Sequence, residues 1–230
     1  MNGYIFLVNP SHPLSGVFGQ PELSPALPGS GVLLESVCAR ALTALIKDIG
    51  AEGKIVPVSG WRSHSEQVSL WNETSRTHGE EFTRQYVALP GCSEHETGLA
   101  IDLALNTGGE IDFIRPYFPY DGVCGDFRHR AAGFGFIERY PAGKEHITGI
   151  SAEPWHFRYV GTAHAEYISG HGLTLEEYIA LLAAHPGEWL DTGPARVSFV
   201  PGGAMLPTGE YTPEDSNAGG SIITTWRSRA

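Results

Sequence analysis

Basic side chains are in short supply in this chain of 230 residues: 15 Lys and Arg stand against 26 Asp and Glu, for a formal charge of −11. A phosphate backbone rewards clustered Lys and Arg, so nucleic acid is not an expected partner. Cysteine is scarce as well. The three present, Cys38, Cys92 and Cys124, make neither a paired framework nor a CxxC knuckle, which excludes a disulfide scaffold and fits a reducing compartment. No apolar run approaches the length of a membrane span. The start, Met1 to Pro10, lacks the basic residues and long apolar core of a secretory signal, so a cytoplasmic location is expected. HExxH is missing, and with it a zincin helix as metal scaffold. Low-complexity tracts and internal repeats are missing too, and the 29 Gly and 16 Pro are dispersed through a chain of ordinary apolar content.

What is present is enough for one good-sized domain, or one domain with an appendage. After a loop rich in Pro, Gly and Ser (Pro10 to Gly31), the run Val32 to Ile49 sets Leu33, Val37, Ala41, Leu45 and Ile49 on one helical stripe, with Gly50 suited to its C-terminal cap. Lys54 to Val58 reads as a strand leading into Ser59-Gly60-Trp61-Arg62, and Ser63 or Ser65 can cap a helix running to about His78. Gly98 to Leu105 alternates: Leu99, Ile101, Leu103 and Leu105 face one way, Ala100, Asp102 and Ala104 the other. Asp102 between two alanines leaves room above it for a ligand.

Farther along, Phe127 to Phe134 reads as helix, and Gly135 to Arg139 and Trp155 to Val160 as strands. Helices follow at Ala163 to Ser169 and Leu175 to Ala184, the second with a Thr174/Glu177 capping box. From Trp189 onward Gly, Pro and β-formers prevail, with candidate strands at Ala195 to Val200 and Ile222 to Arg227. The links are too short for frequent βαβ crossovers. The expected fold is therefore α+β, a mainly antiparallel central sheet flanked by helices, with residues 1–187 as the main domain and 188–230 as a small β-rich extension.

Two segments carry chemistry, Ser93 to Asp102 and Glu153-Pro154-Trp155-His156. A hydrolytic zinc ion needs three fixed donors and one exchangeable position, and His95, Asp102 and His156 can supply two neutral nitrogens and one charged oxygen. Glu153 is the candidate general base, because Pro154 interrupts regular pairing and frees it from strict alternation with His156. Each residue alone has a plainer use: His95 as a solvated turn residue, Asp102 as a core-edge carboxylate, Glu153 as a loop charge. Their joint pattern favours the site. The remaining histidines, His64, His78, His129, His146, His164, His171 and His185, lack a partner pattern and read as surface imidazoles.

Ser93-x-His95-x-x-Gly98-x-Ala100-x-Asp102 and Glu153-x-Trp155-His156 resemble the two signatures of the zinc D,D-peptidases of the VanX, VanY and VanXY type. Trp61-Arg62-Ser63 followed by Gln67 is similar to a third element, and Leu7-Val8-Asn9 with His12-Pro13-Leu14 to a VanXY amino terminus. The resemblance implies a fold shared with the hedgehog proteins and zinc on His95, Asp102 and His156. It also implies Glu153 as base, and Arg62 polarising the scissile carbonyl or steadying the oxyanion. The implied substrate is a D-Ala-D-Ala terminus, free or on a peptidoglycan precursor, in a setting of vancomycin resistance. Ser93 and Gln67, together with Arg62, are candidates for binding it, although Ser93 and Gln67 can equally cap nearby backbone. Two other readings stay open: an endopeptidase for another peptidoglycan bond, and a zinc-binding relative without catalysis.

Overall fold

The computed structural model describes residues 3–14 and 20–227; residues 15–19 of the Pro10 to Gly31 loop, and both chain ends beyond these limits, lie outside the described residues. The first half runs β1 (Leu23–Pro25), β2 (Leu33–Glu35), α1 (Ser36–Asp48), β3 (Ile55–Ser59), α2 (His64–His78), α3 (Glu80–Tyr86), a 3-10 turn (Glu94–Thr97) and β4 (Ala100–Leu105). It continues through α4 (Gly122–Ala131), β5 (Phe136–Glu138), α5 (Glu145–Thr148), β6 (His156–Tyr159), α6 (Thr162–Gly170) and α7 (Leu175–Ala184). The chain then enters β7 (Leu190–Asp191), β8 (Ala195–Pro201), β9 (Thr212–Asp215) and β10 (Gly220–Trp226).

The alternation in β4 does what its sequence implies. Leu99, Ile101 and Leu103 are buried in an apolar cluster with Leu42, Leu45 and Ile46 of α1 and Phe127 of α4, while Asp102 points to the other face between Ala100 and Ala104. The central sheet has the order β3-β4-β6-β5, and each neighbouring pair is antiparallel. This is the α+β arrangement expected. Behind it Phe118, Phe127 and Phe157 meet edge to face, with ring centroids 4.8 to 5.7 Å apart, a geometry the ring quadrupole favours. Phe127→Ala is expected to cost about 3–5 kcal/mol, the transfer term plus the cavity it leaves, read as a lower urea midpoint with an unchanged slope.

Three expectations need correction. The helix foreseen from Val32 begins at Ser36, since Leu33–Glu35 pairs with Leu23–Pro25 as a strand and Glu35 caps the helix by accepting from the Val37 and Cys38 amides. The helix foreseen at Phe127 to Phe134 starts at Gly122 and is α-helical only to Ala131, ending in a 3-10 turn. His164 is not a surface imidazole: it is 2 % exposed, with Nδ1 2.9 Å from the Tyr178 hydroxyl and Nε2 3.5 Å from Glu214. Both foreseen caps form as full capping boxes, Ser63 with Glu66 and Thr174 with Glu177.

A second antiparallel sheet, β7-β8-β10-β9, holds the two strands expected after Trp189. Val197, Phe199 and Ile222 from it share one buried cluster with Ile5 and Leu7, Ile168 of α6, and Tyr178 and Ile179 of α7. The Asn217 side chain clasps Leu7, accepting from its amide at 2.9 Å and donating to its carbonyl at 2.7 Å. The amino-terminal segment is thereby held between the two sheets' clusters.

Candidate active site

Strand register builds the site. Asp102 of β4 lies opposite His156 of β6 on one side and Ser59 of β3 on the other, with a bulge between Pro57 and Ser59. Residues directly opposite one another share a face, so one rung across three strands presents a hydroxyl, a carboxylate and an imidazole. His95 reaches the same point from the 3-10 turn that precedes β4. That turn ends at Gly98 in the left-handed region, φ 74°, where a Cβ would stand 3.0 Å from the Glu35 amide; glycine is what this corner admits.

The donor atoms converge. Ligand atoms of His95, Asp102 and His156 lie within 4.8 Å of one another, and all three side chains are buried. Asp102 Oδ1 is 2.8 Å from His156 Nδ1, and its Oδ2 is 3.2 Å from His95 Nε2. His95 Nδ1 sits 2.8 Å from the Gly60 carbonyl, so it donates there and leaves the Nε2 lone pair facing Asp102. Burial pushes the His95 imidazole down towards its neutral form. At His156 burial acts the same way, but Asp102 outweighs it and raises the group to about 10. Burial alone would raise Asp102; the two imidazoles hold it well below the usual carboxylate range. Two nitrogens and an anionic oxygen in this arrangement suit a divalent cation.

Around these three, the structure brings together Glu153, Arg62, Gln67 and Ser93. Glu153 is buried, with Oε2 3.8 Å from His156 Nδ1, and burial followed by the Asp102 and Glu94 charges raises it to about 8 against the pull of His156. The turn bearing it is held by Arg128, which donates to the carbonyls of Phe118 and Pro154. Arg62 Nη1 donates to Gln67 Oε1 and its Nη2 to Ser59 Oγ, each at 2.6 Å. Gln67 is fully buried, and its amide nitrogen donates to the Ala88 carbonyl at 2.7 Å. Ser93 lines the cleft, and its hydroxyl makes no cap bond to the turn after it. Phe113, Ile114, Tyr140 and Ile150 also line the cleft.

Sequence reasoning missed the charged residues behind the rung. Glu94, Arg139 and Arg158 are buried together, with Arg139 Nε and Arg158 Nη1 each 2.8 Å from Glu94 Oε1. Tyr140 was missed as well; its ring lies 4.9 Å from that of His156. A signal was available: an arginine flanked by aromatic and apolar neighbours, as in Phe157-Arg158-Tyr159, is a charge that must find a buried partner.

Residues 31–162 match the VanY family, described as D-alanyl-D-alanine carboxypeptidase. The chain belongs to this family. It is 42% identical over 178 residues, 77% of this chain and 94% of the relative, to the bifunctional D-Ala-D-Ala dipeptidase and D-Ala-D-Ala carboxypeptidase VanXYC of Enterococcus gallinarum. Among solved structures it is similar to the vancomycin-resistance D,D-dipeptidase VanXYg bound to a D-Ala-D-Ala phosphinate analogue. That match has TM-score 0.90 and 41% identity, over 98% of this chain and 94% of the other. It is also similar to the D,D-pentapeptidase VanY of a VanB-type cassette solved with Zn(II), with TM-score 0.64 and 29% identity over 76% of this chain and 98% of that one. The VanY-family fold accounts for the α+β architecture, and the VanXYg match extends over the second sheet as well. Among the described residues no helix is long and apolar enough to cross a membrane.

Proposed function

We propose that the chain is a zinc-dependent D,D-peptidase that releases D-alanine from D-Ala-D-Ala, either the free dipeptide or the end of a peptidoglycan precursor, and so contributes to vancomycin resistance. The observation that carries this reading is the convergence of His95, Asp102 and His156 within 4.8 Å, with the buried Glu153 carboxylate 3.8 Å from one of the donors. The names of the relatives support the substrate. Three unpaired cysteines, two of them buried, accord with a cytoplasmic setting.

When bound to His95, Asp102 and His156, zinc would supply a Lewis acid that acidifies water and polarises the scissile carbonyl. Glu153 receives the proton of the attacking water and returns it to the departing D-alanine amine. The same carboxyl serves both transfers, as base to the water and then as acid to the amine. Arg62 presents a guanidinium to the oxygen that gains charge, and Gln67 and Ser59 fix its plane through the two donated bonds. Ser93 offers a hydroxyl to the substrate's terminal carboxylate. Because the fork geometry of Arg62 is built into its bonds with Gln67 and Ser59, Lys cannot replace it. Arg62→Lys is expected to lower kcat by about 10²-fold, the scale of one lost oxyanion donor, in a continuous assay of D-alanine release.

The deciding experiment follows D-alanine release from D-Ala-D-Ala and from a pentapeptide precursor, with product analysis on intact muropeptides. Release of D-alanine from at least one of the first two is expected. Cleavage at another muropeptide bond with neither of them turned over would replace this reading with the endopeptidase.

A further inference from the structure

His156 has a second ring nitrogen, and what faces it has no place in the mechanism above. Nδ1 looks towards Asp102 and Glu153, at 2.8 and 3.8 Å. Nε2 looks the opposite way, into the protein, where Glu94 Oε2 lies 3.6 Å off. Both atoms are buried and neither makes a hydrogen bond. An imidazole that ligates through Nδ1 must carry its proton on Nε2, and a carboxylate opposite Nε2 selects that tautomer and orients the ring.

The surroundings of Glu94 keep that oxygen available. Its other oxygen, Oε1, takes Arg139 Nε and Arg158 Nη1, both at 2.8 Å, so neither guanidinium occupies the oxygen that faces His156. Two guanidiniums on one carboxylate would leave an excess of positive charge in the interior. Glu176 of α7 removes it by a two-pronged pair with Arg139, at 2.9 and 2.6 Å. Arg158 is fixed in turn by donating to the carbonyls of Tyr4 and Phe6, each at 3.1 Å. Tyr140 closes the arrangement, its ring 4.9 Å from the Arg139 guanidinium carbon and 4.9 Å from the His156 ring.

We propose that Glu94 is a positioning residue for metal binding. With zinc held on Nδ1, its Oε2 would close the 3.6 Å separation to accept the His156 Nε2 proton and so turn the Nδ1 lone pair to the metal, and Arg139 and Glu176 extend this support to α7. The inference rests on the reading of His156 as a ligand. It assigns work to Glu176, which lies beyond the family match that ends at residue 162, and to the amino-terminal segment that Arg158 grips.

Zinc affinity, measured by competition with a chromophoric chelator, separates positioning from mere structural support. Glu94→Gln keeps the shape and removes the charge; zinc affinity is expected to fall about 10- to 100-fold, the range for lost outer partners of a ligating histidine. Glu176→Gln is expected to weaken zinc by a smaller factor. Unchanged zinc affinity in Glu94→Gln, with only a lower thermal midpoint of the metal-free protein, would overturn the inference and leave the proposed function standing. Should Glu94→Gln not fold, the ¹⁵N spectrum of the zinc-loaded wild-type protein decides. A slowly exchanging His156 Nε2 proton supports the proposal, and a His156 protonated on Nδ1, or lacking a protected Nε2 proton, overturns it. A wild-type protein that binds no zinc overturns the proposed function and this inference together.

Discussion

Stripping the protein with a strong chelator is expected to bring D-alanine release to background, and one equivalent of zinc to restore it. The three donors sit on rigid elements: Asp102 and His156 are paired residues of adjacent strands, and His95 is pinned through Nδ1 to Gly60. The donors are also tied to one another, because Asp102 bonds the His156 imidazole and lies 3.2 Å from His95 Nε2. That is why recovery should be full rather than partial. The same experiment has a stability arm. A ligand that binds only the folded state adds about 4 kcal/mol when its free concentration is 1,000-fold above its Kd. The thermal midpoint should therefore rise with added zinc and fall on chelation. Activity that persists after metal analysis shows the zinc to be gone would sink the metallopeptidase reading. Full zinc occupancy with no turnover on any substrate would instead favour the binding protein without catalysis.

The candidate site was legible because its parts lie in two short stretches whose local pattern already separates a core face from a ligand face. Leu99, Ile101 and Leu103 had to be buried, so Asp102 had to point elsewhere. The pairing of Asp102 with His156 across β4 and β6 was not legible, because register between strands 54 residues apart is set by packing of the whole sheet. The same limit explains the start of α1. Val32 to Leu34 fits a helical stripe, and only the partner strand Leu23–Pro25 decides for β structure. Strand β9 shows the case most sharply: in Thr212-Pro213-Glu214-Asp215 only Thr212 favours a strand, and the segment is one because β10 pairs with it. His164 was misread for a related reason. Its partners, Tyr178 and Glu214, come from α7 and the second sheet, and no spacing rule connects them. Glu94 lies inside the motif, yet its two buried arginines come from β6 and from the residue just after β5, and its surroundings are visible only in three dimensions.

Glu153→Gln is expected to keep zinc and lose turnover. Glutamine preserves the volume and the polar end of the side chain but cannot take up a proton, so the variant removes one function only. Glu153 is not among the three converging donors, and chelator competition should return a zinc affinity within a few-fold of the wild-type value. The rate should fall by about 10²- to 10⁴-fold, the usual worth of a positioned general base. The split between kcat and KM carries the argument further. Proton transfer stabilises the transition state and not the bound substrate, so kcat should drop while KM changes little. Burial lifts this carboxyl to about 8, so folding near neutral pH costs the uptake of a proton that glutamine does not need; the variant should unfold no more easily than the wild type. Turnover within tenfold of wild type would deny Glu153 the role of base. Loss of zinc together with loss of activity would mean that the carboxylate helps to hold the metal, a fourth contact rather than the proton carrier.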